Sequence, residues 1–210
     1  MNDSFNRFPP VKIIGLIGGV ASGKSWVARE FQRLGAKVLD ADRAGHEVLK
    51  EPSVMQALRN RWGNAVFNPL GAVNRAAVAR IVFAPPPAGP PELTFLEQIT
   101  HPLIGERLRT EAATYALEPG SQVAILDAPV LLKAGWDKLC DRILFVDAPF
   151  EVRLARALQR GWTRAEFAAR EAAQEPLAEK RGQADLILDN SGSPEESRSK
   201  IAALWPSMTG

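Results

Sequence analysis

Apolar residues follow two rhythms along this chain. Near-continuous apolar runs rich in Val, Ile and Leu occur at 11–17, 36–40, 122–127, 142–147 and 185–189. Runs of that length and composition predict strands of a parallel sheet covered on both faces. Between them, apolar residues recur every three or four positions. Val27, Phe31 and Leu34 predict a helix with Gly35 as its C-cap. From 44 to 115 the pattern is helical throughout, with segments around 46–50, 53–62 and 74–83 and no strand signal. A further helix is predicted over 150–160, and Thr163 with Glu166 stands at capping-box spacing to open the next. Ser193-Pro194-Glu195-Glu196 offers cap, proline and acid in the order that begins a closing helix. The proline-rich run 85–91 is expected to be irregular, and Pro102 to kink a helix or start a new one. Strands alternating with helices predict an α/β fold around five parallel strands, with a helical insertion after the second.

Where the first strand gives way to the first helix, Gly18, Gly23, Lys24 and Ser25 stand in the spacing G-x-x-x-x-G-K-[ST]. In such a loop the glycines let successive backbone N–H groups turn inward toward a phosphate chain. The helix that begins at the lysine adds its unpaired amides and its positive dipole end. Lys24 supplies a point charge for the outer phosphates, and the Ser25 hydroxyl can reach a magnesium ion.

Carboxylates at strand ends come next, because ligands of open parallel sheets bind beyond the carboxyl ends of the strands. The second predicted strand ends in Asp40-Ala41-Asp42. Asp42 reads either as a group facing the phosphate crevice or as a helix N-cap, and Asp40 is open to the same two readings. Asp127 ends the third strand, where phosphate-loop proteins place a second carboxylate for magnesium; Asp147, followed by Pro149, is the other candidate. Arginines are scattered through the insertion (Arg59, Arg61, Arg75, Arg80, Arg107, Arg109) and concentrated after the fourth strand (Arg153, Arg156, Arg160, Arg164, Arg170, Lys180, Arg181). Each set reads as a solvated basic face or as a holder of phosphate, and the second suggests a lid closing over a polyphosphate.

Composition narrows the class. Hydrophobic residues make up 46% of the 210, enough for a real core. A net charge of +2 is too mild to argue for nucleic acid. The single cysteine, Cys140, rules out an internal disulfide and a cysteine-based zinc site, and its apolar context predicts a buried inert thiol. No apolar run approaches the roughly 18 residues of a membrane span. Residues 1–10 are polar with two prolines and read as a short disordered tail rather than a signal peptide, which suggests a soluble cytoplasmic protein.

Taken together, these stretches resemble the dephospho-coenzyme A kinase family from Lys12 over nearly the whole chain. The resemblance rests on the Gly18–Ser25 loop, Leu39-Asp40-Ala41-Asp42, His101-Pro102-Leu103-Ile104, and Leu126-Asp127-Ala128-Pro129-Val130-Leu131-Leu132. It continues through the arginine-bearing helix, Gln174 with Lys180-Arg181, and 184–192 ending in Asp189-Asn190-Ser191-Gly192. It implies a three-layer phosphate-loop NTPase fold: a core of 11–43, 117–152 and 183–210, a helical acceptor-binding lobe at 44–116, and a helical lid at 153–182. The implied reaction moves the ATP γ-phosphoryl group to the ribose 3′-hydroxyl of dephospho-coenzyme A, the last step of coenzyme A synthesis. By position, Asp42 is implied as the acceptor of the hydroxyl proton and Arg156 as the lid arginine on the phosphates, with Lys24 beside them. Gly19, Val20, Ala21, Ser22, Gly23, Lys24, Ser25, Trp26 and Asn190 are the implied ATP-binding residues, and Ser25 and Asp127 the holders of Mg²⁺. The implied partners are ATP and dephospho-coenzyme A, with no nucleic acid and no membrane, for a monomer or small homo-oligomer.

Two positions depart from the family pattern. Trp26 stands where threonine usually follows the loop serine, and Lys133 where glutamate usually ends the Pro-x-Leu-Leu stretch. Neither removes a residue that carries the chemistry. The competing sequence readings are a nucleoside monophosphate kinase of the same build and a GTP-dependent switch. The long insertion speaks against the first, and the absence of an Asn-Lys-x-Asp stretch against the second.

Overall fold

Five strands build one parallel sheet: β1 (Lys12–Gly18), β2 (Lys37–Leu39), β3 (Val123–Asp127), β4 (Arg142–Asp147) and β5 (Leu186–Asp189), in the spatial order β2-β3-β1-β4-β5. The computed structural model describes residues 11–118, 120 and 122–209, so the tail expected at 1–10 lies outside the described residues. Helix α1 (Lys24–Arg33) joins β1 to β2. Helices α2 (Ala41–Val48), α3 (Pro52–Trp62), α4 (Arg75–Val82) and α5 (Gly89–Tyr115) fill the interval from β2 to β3. Then α6 (Phe150–Gln159), α7 (Arg164–Ala172) and α8 (Leu177–Gly182) lie between β4 and β5, and α9 (Pro194–Thr209) closes the chain. Backbone contacts divide the chain into two units, one running to Leu39 and resuming at Glu111, the other Asp40–Thr110.

In the first unit β1 is central, with Leu16 opposite Asp127 on one side and Leu144 on the other. Both its neighbours are apolar, which is why β1 reads as an unbroken apolar run. Ile14, Leu16, Ile125, Leu144 and Leu188 from the sheet pack with Val27 and Phe31 of α1 and Ile201 and Met208 of α9. The fully buried Phe31 ring lies 6.2 Å from that of Trp205. Carboxylates set the strand starts: Asp141 accepts from the amide of Ile13 and Asp185 from that of Ile143, each at 2.7 Å. The buried carboxylate of Glu30 joins α1 to α9 by accepting from Arg33 at 2.8 Å and Arg198 at 3.3 Å. Both predicted helix starts in the second half carry reciprocal caps, Thr163 with Glu166 and Ser193 with Glu196.

The second unit buries Val48, Val54, Leu58, Val66, Val78, Val82, Ile104 and Leu108. Here the structure corrects three expectations. The stretch 85–91 is not irregular throughout, because Gly89, Pro90 and Pro91 form the first turn of α5. Amides in a first turn have no helical acceptor, so proline loses nothing there. Nor does Pro102 start a new helix, as α5 continues through it. Beyond the proline, Ile104, Leu108 and Ala112 bury one stripe at four-residue spacing, and this burial offsets the missing backbone bond. Finally, α2 starts at Ala41, earlier than the predicted segment, because Asp40 caps it through the amide of Arg43 at 2.8 Å. The N-cap role falls to Asp40, leaving Asp42 exposed on the first turn.

Phe31→Ala removes a fully buried ring from the contact between sheet, α1 and α9. It is expected to lower unfolding stability by about 3–5 kcal/mol, read as a fall in the urea midpoint without a change in slope.

Candidate active site

The phosphate loop spans the gap between β1 and α1. Its backbone takes two left-handed turns, at Ala21 (φ 57°) and at Gly23 (φ 99°), the N-cap of α1. The first is unusual for a residue with a Cβ and costs about 1 kcal/mol or more, which the surrounding contacts must offset. At Gly23 no other residue fits, since a Cβ would collide with the side-chain amide of Asn190. Among the described residues no acceptor takes the amides of Val20, Ala21 and Gly23, and the Ser22 hydroxyl is buried without a partner. The loop thus gathers backbone donors of the kind that cradle an anion.

Lys24 folds back over this loop, its Nζ donating to the carbonyls of Gly18 and Gly19 at 3.1 Å each. Burial pushes its pKa down to about 8; Asp127 opposes that shift, while the charges of Lys180, Arg153 and Arg160 add to it. Like charges therefore gather around the lysine, with one carboxylate against them.

Three side chains from the far end of the chain fix the loop. Arg153, only 3% exposed, donates from Nε to Ala148 O at 3.0 Å and from Nη1 to Val20 O at 3.4 Å. Its Nη2 pairs with Glu171 at 2.6 Å, and its guanidinium lies 5.7 Å from the Phe167 ring centre. A Cβ at position 19 would stand 2.9 Å from this guanidinium, so Gly19 lets the arginine reach the loop. Arg156 donates to Ser22 O at 3.0 Å and to Asn190 O at 2.7 Å. Buried Asn190 completes the triangle, its side-chain amide donating to Ser22 O at 2.8 Å.

The other predicted residues fall as follows. Ser25 is exposed on the first turn of α1. The Trp26 indole packs against the apolar core of the sheet, with the Arg198 guanidinium 5.9 Å over its ring. Asp127 is half-buried at the end of β3. The rival Asp147 forms an ion pair with Arg181 of α8. Asp42 belongs to the second unit. Cys140 donates to Trp136 O at 3.4 Å, and burial pushes its thiol up to about 12, in keeping with the predicted inert role.

Two groups gained importance only in three dimensions. Arg153 was one basic residue among several, and its place under the loop follows from a contact 133 residues away in sequence. Lys180 is 7% exposed, its ammonium donating to Gln174 at 3.1 Å, and burial lowers its pKa. The spacing of Arg153, Arg156 and Arg160 gave a partial signal, because it aligns them along one side of α6.

A sequence profile of the family described as Dephospho-CoA kinase matches residues 12–196. The Dephospho-CoA kinase of Symbiobacterium thermophilum is 37% identical over 202 residues, covering 95% of this chain and 82% of that one. That of Geobacter metallireducens is 40% identical over 195 residues, covering 92% and 94%. The crystal structure of TT1252 from Thermus thermophilus superposes with a TM-score of 0.76 at 34% identity, covering 96% of this chain and 100% of that one. With its loop, its parallel sheet and this likeness in hand, the chain belongs to the dephospho-CoA kinase family.

Proposed function

We propose that this protein transfers the γ-phosphoryl group of ATP to the ribose 3′-hydroxyl of dephospho-coenzyme A, giving coenzyme A. The observation that carries the reading is the prepared loop: open amides at Val20, Ala21 and Gly23, held in place by Arg153, Arg156 and Asn190, with Lys24, Lys180 and Arg160 contributing positive charge nearby. Such a site suits an anion of several charges. Phosphoryl transfer asks a protein mainly for positioning and for charge opposite the developing oxyanions, and this site offers both.

In this reading the loop residues from Gly19 to Ser25 take the phosphates, Lys24 leaving its two carbonyls for the outer ones. Trp26 contributes its backbone at the helix start, its indole being packed against the core. Asn190 keeps the loop at the ATP site in shape through Ser22 O. Arg156 holds the loop against the 190 region through Nη1 and Nη2 and keeps further N–H donors for the phosphates, as the family resemblance implies. Exposed Arg160, with no ion pair among the described residues and its charge felt by Lys24, is a second cation that can meet the transferred phosphoryl group. Asp42 orients or deprotonates the acceptor hydroxyl.

Ser25 Oγ and Asp127 form an all-oxygen donor set, which suits a hard divalent ion such as Mg²⁺. Among the described residues no cluster of three or more His, Cys, Asp or Glu is placed to hold a metal. When bound, the ion would neutralise charge on the β- and γ-phosphate oxygens. The reading takes 11–43, 117–152 and 183–210 as the ATP-binding core, 44–116 as the acceptor lobe and 153–182 as a lid. It also takes the enzyme as a cytoplasmic monomer or small oligomer. Among the described residues no helix is long and apolar enough to cross a membrane.

Four outcomes are expected. ADP release with ATP and Mg²⁺ should require dephospho-coenzyme A, with adenosine, AMP and CMP inactive. Asp42→Asn should lower kcat by about 10²-fold or more, with little change in KM for ATP; turnover on AMP or CMP instead would move the chain to the nucleotide kinases. Arg160→Ala should lower kcat by about 10²-fold or more, whereas Arg156→Ala should chiefly raise KM for ATP by loosening the loop. Lys24 binds phosphate in its protonated form, and a bound polyanion raises its pKa above the free value of about 8. ATP affinity should therefore be full below pH 8 and fall as pH rises through that value. The pH dependence of kcat/KM for ATP reads this directly, and Lys24→Arg should abolish the inflection.

A further inference from the structure

Within the second unit, residues 66–74 form a tightly closed hairpin. Asn74 N donates to Val66 O at 2.8 Å, Phe67 pairs antiparallel with Val73, and Asn68 N donates to Ala72 O at 2.8 Å. The Asn68 side chain then accepts from the amides of Leu70 at 3.0 Å and Ala72 at 2.9 Å. Five interactions thus fix a turn whose tip, Leu70, is 92% exposed. A rigid turn that holds a leucine in water suggests something that covers it, and a groove of about 530 Å³ opens beside it. Leu49, Met55, Leu70 and Val73 form its apolar lining, and His46 and Arg75 add basic groups. The remaining charges in the lining, Glu47 and Lys50, are paired with each other at 2.5 Å. Arg75 is exposed and, among the described residues, makes no side-chain hydrogen bond or ion pair. The groove therefore combines an apolar surface with an unneutralised guanidinium, in a volume typical of small-molecule sites.

That pairing selects for a ligand in which an anion adjoins a branched apolar group. The proposed acceptor has such a junction, where its diphosphate meets the geminal dimethyl group of the pantoate. We propose that this groove receives that junction, with Arg75 and His46 on the diphosphate and Leu70, Met55, Val73 and Leu49 around the dimethyl group and the arm beyond it. The inference rests on the acceptor reading above and adds which atoms of the acceptor this part of the chain reads. Guanidinium matches a diphosphate in charge and in planar geometry, and covering Leu70 removes apolar surface from water.

Leu70→Asp and Arg75→Gln both alter exposed side chains and leave the hairpin hydrogen bonds in place. Calorimetric titration of the full-length protein with dephospho-coenzyme A and, separately, with ATP reads the two sites independently of turnover. Each variant is expected to bind dephospho-coenzyme A about tenfold more weakly and ATP as before, with Arg75→Lys recovering part of the loss. Unchanged acceptor affinity in both variants would overturn the groove assignment while leaving the functional reading intact. Equal losses for ATP and acceptor would also overturn it, as damage to the fold. If Leu70→Asp instead abolishes self-association at unchanged acceptor affinity, the leucine faces a second copy and the assignment falls. A wild-type protein that neither binds nor phosphorylates dephospho-coenzyme A would remove the functional reading, and the groove's ligand with it.

Discussion

One carbonyl oxygen, that of Ser22, accepts from Arg156 and from Asn190. Arg156 donates in addition to the backbone of Asn190, so α6, the turn after β5 and the loop after β1 are tied at a single point. A loop with exposed inward amides is electrostatically uncomfortable, because its donors repel one another until an anion arrives. Holding it open requires hydrogen-bond donors and cations on the outer side, where carbonyls emerge. Arg153 does the same one residue pair earlier, at Val20, and is itself balanced by Glu171 and by the faces of two phenylalanines. Much of the positive charge in this region is therefore structural, serving the backbone. Lys24 is likewise engaged, with the carbonyls of Gly18 and Gly19, and Lys180 with Gln174, while Arg160 is exposed and has no ion pair among the described residues.

That division was invisible in the sequence. The loop itself was legible because all its determinants lie within eight residues: glycine freedom, amide direction and the lysine all depend on local spacing. The strands were legible for a similar reason, since burial on both faces leaves near-continuous apolar runs. Which arginine serves the backbone and which remains free depends on carbonyls more than 130 positions away, and no pattern along the chain encodes that. The family resemblance implied Arg156 on the phosphates; that both of its terminal nitrogens also hold backbone carbonyls of the loop and the 190 region was not legible in the sequence.

Local rules also erred where burial outweighed propensity. Pro102 inside α5 removes a backbone bond, but an apolar stripe continuing past it keeps the helix whole. Pro90 and Pro91 read as breakers because they follow three other prolines, yet first-turn positions accept them. At Asp40 and Asp42 the sequence offered two carboxylates and two roles. Geometry assigned the cap to Asp40, and Asp42 is thereby left outside any capping duty.

Cys140 carries a consequence for the chemistry of the coenzyme itself. Burial pushes the Cys140 thiol up to about 12, away from the thiolate form at pH 7, and its sulfur lies beside Gly15, where a methyl group would stand 2.8 Å away. Thiol–disulfide exchange proceeds through the thiolate, which burial disfavours here. An enzyme whose proposed acceptor and product each end in a free thiol works among reactive sulfur at every turnover. With its one cysteine silenced in this way, the protein can carry that cargo through oxidising episodes without becoming covalently joined to it.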